Sequence, residues 1–137
     1  MLKDRAKKAL RIIKNVPQME TCRPIFKEYK IMSLPNLYIF KCLINVKENL
    51  HIYSSRRDIH SYNTRNKELL DLISVRLEKT KCSHICEKIK LFNKLPKEAW
   101  SVTLKKFKTV LEKWFKENIF YSTSEFMACD ISSMSFI

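Results

Sequence analysis

The chain contains no glycine in 137 residues, although average usage of roughly 7% would supply about ten. This absence removes every phosphate-binding loop that depends on glycine, both the P-loop and the dinucleotide fingerprint. Helix ends that need a left-handed residue must then use asparagine, and Asn15, Asn49, Asn66 and Asn118 are the candidates. Aspartate is also scarce, occurring at positions 4, 58, 71 and 130 with no two adjacent. Two-metal phosphoryl transfer needs carboxylates that converge within a few ångströms. Scattered single acids suggest no such centre, so the chain is expected not to be an enzyme. No apolar run approaches the roughly 20 residues of a membrane span, so none is expected. There is no secretory signal pattern, and an odd number of cysteines, five, fits reduced thiols better than a disulfide framework. The expected location is therefore intracellular, in nucleus or cytoplasm.

Positive charge is abundant. There are 27 Lys and Arg against 14 Asp and Glu, a formal net charge of +13, and no Lys or Arg follows Lys116. Such an excess attracts polyanions but carries no information about fold. With 45% hydrophobic residues, eight Phe, five Tyr and two Trp, the chain has the means to bury a modest core and is unlike a disordered one.

Periodicity predicts a mainly α-helical, small assembly. Leu2, Ala6, Ala9, Leu10 and Ile13 recur at helical spacing, and Pro17 stops that helix. Thr21 can cap a short helix carrying Ile25, Phe26 and Tyr29. Pro35 opens the most apolar stretch, Leu37 to Val46, which should lie at the centre of the core. Residues 51 to 68 read as a polar loop. Ile73, Val75 and Leu77 alternate with polar residues, predicting a minor β element around residues 60–82 that pairs near Tyr62 or Lys81. Helical spacing resumes at Ile85, Ile89 and Phe92. It continues after the Leu95-Pro96 break from Thr103 to Asn118, with a stripe of Leu104, Phe107, Val110, Leu111, Trp114 and Phe115. Phe40, Leu43, Phe107, Leu111 and Trp114 should share one core. Ser122 and Glu125 have capping-box spacing. Residues 1–129 are expected to form a single small domain, or a fragment of a larger one, and 130–137 a frayed tail.

The basic loop is the best candidate for a binding site. Arg56, Arg57, His60, Tyr62 and Arg65 interleave cations with an aromatic ring. Guanidinium groups bind phosphate bidentately, and an exposed tyrosine can stack on an unpaired base. Cys82, His84 and Cys86 are the one cluster of metal-ligand types. A structural zinc site needs a second ligand pair, and none is found at the expected spacing, so no metal or other cofactor is predicted.

Two segments carry a family resemblance. His60-Ser61-Tyr62-Asn63-Thr64-Arg65-Asn66 is followed by Lys90-Leu91-Phe92-Asn93-Lys94-Leu95-Pro96, then an aromatic-rich helix and Phe120-Tyr121-Ser122. In this order and separation they resemble the region downstream of the polymerase domain in jockey-type non-LTR retrotransposon reverse transcriptases of insects. The resemblance extends from Arg11-Ile12-Ile13 through Thr21-Cys22-Arg23-Pro24-Ile25-Phe26 and Leu34-Pro35-Asn36-Leu37-Tyr38-Ile39 to Ser124-Glu125-Phe126. The chain departs from it at Glu87, where the resembled stretch usually has glycine. The resemblance implies a non-catalytic, basic C-terminal module of an RNA-directed DNA polymerase, with template RNA or target DNA and the element's own polymerase domain as partners. It transfers no catalytic residue. Two alternatives are a structural helix-packing segment of the polymerase, and a remnant or interaction protein with no nucleic-acid role.

Overall fold

In the computed structural model, which describes residues 2–59, 61–72, 76–77 and 84–136, Ser33 and Pro35 start the helix on which the core is built. Ser33 is extended, and its hydroxyl accepts from the Asn36 amide, meeting one of the orphan donors of the first turn. Pro35 sits where a missing N–H costs nothing. Among the described residues there are eight α-helices: α1 Leu2–Lys14, α2 Arg23–Glu28, α3 Leu34–Glu48, α4 Arg56–Ile59, α5 His84–Asn93, α6 Glu98–Ser101, α7 Leu104–Glu117 and α8 Thr123–Ala128. A 3-10 turn covers Leu50–Ile52. The chain is the mainly α-helical assembly that its periodicity predicts.

The apolar helix α3 packs against α5 and α7. Ile39, Leu43 and Val46 from α3 meet Ile89 and Phe92 from α5, and Phe107, Leu111 and Phe115 from α7, all essentially without solvent contact. Each such side chain contributes roughly 1.5–3 kcal/mol by leaving water. Trp114 joins the same cluster, and Phe40 packs against it half-buried.

The segment expected to be a frayed tail instead closes this core. Met134 and Phe136 are buried in it, Phe136 stacks on Phe107 at 5.8 Å, and the Trp114 indole N–H donates to Ser133 Oγ at 3.0 Å. Burial of two large apolar side chains offsets part of the freedom this segment loses, and the Trp114–Ser133 hydrogen bond adds to it.

Asn36 joins the two ends of the sequence. Its side chain is wholly buried; Nδ2 donates to the carbonyls of Phe115 and Asn118, both at 2.8 Å, and Oδ1 accepts from the Phe120 amide at 3.0 Å. These bonds meet backbone groups that the end of α7 would otherwise leave buried without partners. At α8, Ser122 Oγ accepts from the Glu125 amide at 3.2 Å, the expected cap. The Glu125 carboxylate reaches Tyr121 N and Arg23 Nη2.

Without glycine, two helices still end in left-handed residues, Asn15 at φ 56° and Lys30 at φ 52°. Each completes the paired 6→1 and 5→2 closure of a Schellman motif: Val16 N to Arg11 O with Asn15 N to Ile12 O, and Ile31 N to Phe26 O with Lys30 N to Lys27 O. Asn15 is as expected. Asn49 and Asn118 are not left-handed, at φ −111° and −119°, and Lys30 takes a role that no composition argument would give it.

A second cluster forms where α1 and α2 meet Ile119: Leu10, Cys22, Ile25, Phe26 and Ile119. Of the α1 stripe only Leu10 is buried, while Leu2, Ile12 and Ile13 are 68–73% exposed. Thr21 does not cap α2; Cys22 holds that position in helical conformation with no side-chain cap. Among the described residues the expected β element reduces to one antiparallel bridge, Ser55 with Leu70. Leu77 is exposed, and Ile73, Val75 and Lys81 lie outside the described residues. Glu87, at the position of the missing glycine, lies inside α5 and accepts from the Tyr38 hydroxyl at 2.8 Å, so no turn is needed there.

Candidate nucleic-acid interface

Ser55 and Asp58 build the entry to the basic loop. The Asp58 carboxylate accepts from the Ser55 amide at 3.1 Å and from its hydroxyl at 2.9 Å, closing the single turn α4. These bonds, the hydroxyl's first, hold the Asp58 carboxyl below the usual carboxylate range, and the nearby Arg57 charge adds a smaller contribution.

The returning strand of the loop runs antiparallel to the entry. Asp71 N donates to Ser54 O at 2.9 Å, Arg56 N to Leu69 O at 2.9 Å and Arg57 N to Lys67 O at 2.8 Å. Asn93, the last residue of α5, clamps this neck to the core. Its Oδ1 accepts from Leu70 N and its Nδ2 donates to Leu70 O, both at 3.0 Å. The amide thus pairs with Leu70 as a neighbouring strand would, and the Leu70 side chain is buried in the main cluster. Asn93 at the end of α5 therefore holds the base of the loop that residues 61–66 extend.

Beyond the neck the chain projects into solvent. Arg57, Asp58, Ile59 and residues 61–66 are exposed, and Arg56 is half-buried. Tyr62 is 80% exposed, so its ring is free to stack rather than packed. Arg56, Arg57 and Arg65 make no side-chain hydrogen bond or ion pair among the described residues. His60, the remaining expected contact, lies outside the described residues.

The loop's returning side faces α6 across a cleft of about 130 Å³. Arg65, Asn66 and Glu68 line one wall; Leu95, Lys97 and Trp100 line the other. Trp100 is held in two ways. Its ring packs edge-on against buried Phe92 at 4.8 Å, and its carbonyl accepts from Lys47 Nζ at 2.7 Å, with the Ala99 carbonyl at 3.0 Å. Burial pushes the Lys47 ammonium below its ordinary value. Lys97 and Glu68 approach to 3.9 Å, both largely exposed, a pairing that contributes little. Lys97 and Trp100 were not foreseeable as site residues, because periodicity does not place the loop against α6.

A second basic groove, about 300 Å³, lies between α2 and α7, lined by Lys27, Lys30, Lys113, Lys116 and Glu117. Lysines at these helix C-termini also complement the helix dipoles, which explains them without a ligand. On the outer face of α7, Lys108 pairs with Glu48 at 3.0 Å. A larger cleft between α5 and α8 is lined by Leu91, Met127 and Ala128 together with Glu87, Lys90, Thr123 and Ser124.

Of the weak metal candidates, Cys82 lies outside the described residues. Cys86 is buried in α5, and His84 Nδ1 is 2.9 Å from the Tyr38 hydroxyl. Burial, and then the hydrogen bond to Glu87, push that tyrosine's pKa well up. Among the described residues no three or more His, Cys, Asp or Glu gather to hold a metal, and no helix is long and apolar enough to cross a membrane. No family, curated protein or solved structure matches the chain.

Proposed function

We propose that this chain is a non-catalytic basic module that binds nucleic acid through the 56–66 loop, as the C-terminal part of a retrotransposon RNA-directed DNA polymerase that handles template RNA or target DNA. The observation that carries the reading is a loop clamped at its neck, with Tyr62 80% exposed between arginines that make no side-chain hydrogen bond or ion pair among the described residues. A net charge of +13 supplies the long-range attraction. The retroelement setting rests on the resemblance of the ordered segments alone.

Binding of this kind draws its free energy mainly from phosphate neutralisation, so it depends steeply on salt and little on sequence. With about four to six phosphates contacted, log affinity for duplex DNA falls against log salt with a slope of roughly −4 to −5. Reversing Arg57 and Arg65 to Glu removes at least two contacts and flattens the slope by about 2. Unchanged affinity and slope in that variant would remove the loop as the contact.

A second reading is favoured by a different observation. Leu2, Ile12 and Ile13 leave apolar surface uncovered on α1, as a segment that packs on a polymerase would. Replacing Leu2 and Ile13 by Ser leaves nucleic-acid binding intact on the first reading, and abolishes association with the upstream polymerase on the second.

A further inference from the structure

We propose that the cleft between Arg65 and Trp100 takes one unpaired nucleobase, so that the module prefers single-stranded nucleic acid to duplex. This rests on the nucleic-acid reading above and narrows it from any polyanion to a strand whose bases are free. The volume, about 130 Å³, is of the order that admits one aromatic ring, since an apolar cavity of about 150 Å³ holds benzene. It is too small for a base pair, and a duplex hides the ring faces that the cleft would contact.

The walls match a base in three respects. Trp100 offers an indole whose position is fixed by Phe92 and by the Lys47 bond to its carbonyl, so little freedom is lost on binding. Arg65 brings a planar cation able to stack on a base, and Lys97, 85% exposed at its side chain, stands where a flanking phosphate would pass. Asn66 and Glu68 supply a polar edge: an amide pairs with adenine, and a carboxylate accepts from the exocyclic amine of cytosine. The same carboxylate disfavours uracil, which offers no such donor. Exposed Tyr62 on the same loop provides a platform for a neighbouring base.

The test uses the intact chain with short oligocytidylate, oligodeoxycytidylate, oligouridylate and a DNA duplex at one salt concentration. Tryptophan emission reports on the cleft because Trp114, the other of the two tryptophans, is buried in the core. We expect quenching by the cytosine strands, weaker binding of oligouridylate, and little quenching by duplex. The two cytosine strands separate RNA from DNA by any contact to the 2′-hydroxyl. Trp100→Leu should weaken single-strand binding roughly 5- to 150-fold while duplex affinity stays within about twofold, and Trp100→Phe should restore most of it. Because Trp100 also packs on Phe92, Arg65→Ala and Asn66→Ala, both at exposed positions, provide variants that keep the fold. Single-strand binding that is unaffected by all of these substitutions, with unaltered emission, overturns the cleft and leaves the loop reading standing. Failure to bind any of the four probes overturns both.

Discussion

Replacing Asn93 by Ala removes both hydrogen bonds that clamp Leu70, and the consequence should be local. Each neutral bond contributes about 0.5–1.5 kcal/mol net, so the pair is worth about 1–3 kcal/mol. The backbone bonds from Arg56 to Leu69 and from Asp71 to Ser54 remain, and Leu70 keeps its place in the core. The neck should therefore open more often without unfolding the helices. Leu70 N–H is the reporter because Asn93 Oδ1 is its acceptor. Its hydrogen exchange should accelerate about 5- to 150-fold, at 1.36 kcal/mol per tenfold, while amides in the middle of α3 and α7 shift far less. Asn93→Asp gives an internal control: the carboxylate still accepts from Leu70 N but cannot donate to Leu70 O. Its effect should be intermediate near neutral pH and fade as the acid protonates below about pH 4. Unchanged exchange at Leu70 in a folded Asn93→Ala variant would show that the clamp does not hold the loop.

Three further outcomes follow from the packing. Asn36→Ala strips three buried bonds and leaves the Phe120 amide without an acceptor, so it should cost about 3–5 kcal/mol in urea unfolding; a loss below about 1 kcal/mol would show that water replaces the side chain. Lys30→Gly relieves a left-handed residue and should stabilise by about 0.5–1 kcal/mol, whereas Asn15→Gly should gain less because asparagine tolerates that region better; destabilisation by Lys30→Gly would contradict the strain argument. Trp114→Ala should cost roughly 3–5 kcal/mol, since the ring is buried and its N–H is satisfied by Ser133; an unchanged melting temperature would exclude the ring from the core.

The helices were legible because their signal is periodic. The stripe Phe107, Leu111, Trp114, Phe115 and the all-round apolar character of α3 identify the core before any coordinate does, and both helices pack as that pattern demands. Periodicity fails where burial depends on what lies opposite. Leu2 and Ile13 fall on a helical face yet remain exposed, because a stripe says which face is apolar and not whether anything covers it. Met134 and Phe136, set among serines, have too short a segment to show a period, and they are buried all the same. The basic loop was readable as a charged, turn-rich gap in the helical pattern. Its clamp was not, because Asn93 meets Leu70 across 23 positions and an asparagine at a helix end looks like an ordinary stop signal. The same holds for Asn36, whose partners lie 79 to 84 positions away. In both cases one asparagine side chain ties together backbone that is distant in sequence.

The reach of Asn36 also governs when this chain can fold during its own synthesis. A ribosome adds roughly 5–20 residues per second, so the 84 positions between Asn36 and Phe120 correspond to about 4–17 s. Throughout that interval α3 has neither the carbonyls that satisfy its buried amide nor the α7 surface that covers Ile39 and Leu43. Helix formation takes microseconds at most, so α3 waits as a formed or fluctuating apolar helix that has no partner at first and, once Asn93 is made, only α5 to dock on; such half-covered species are what chaperones bind and what aggregates when crowded. Chains stopped before Phe120 should therefore collapse without native packing. Chains extended to Phe136 should gain the α3–α7 core together with the ring that stacks on Phe107, so that this core closes abruptly once that residue is made.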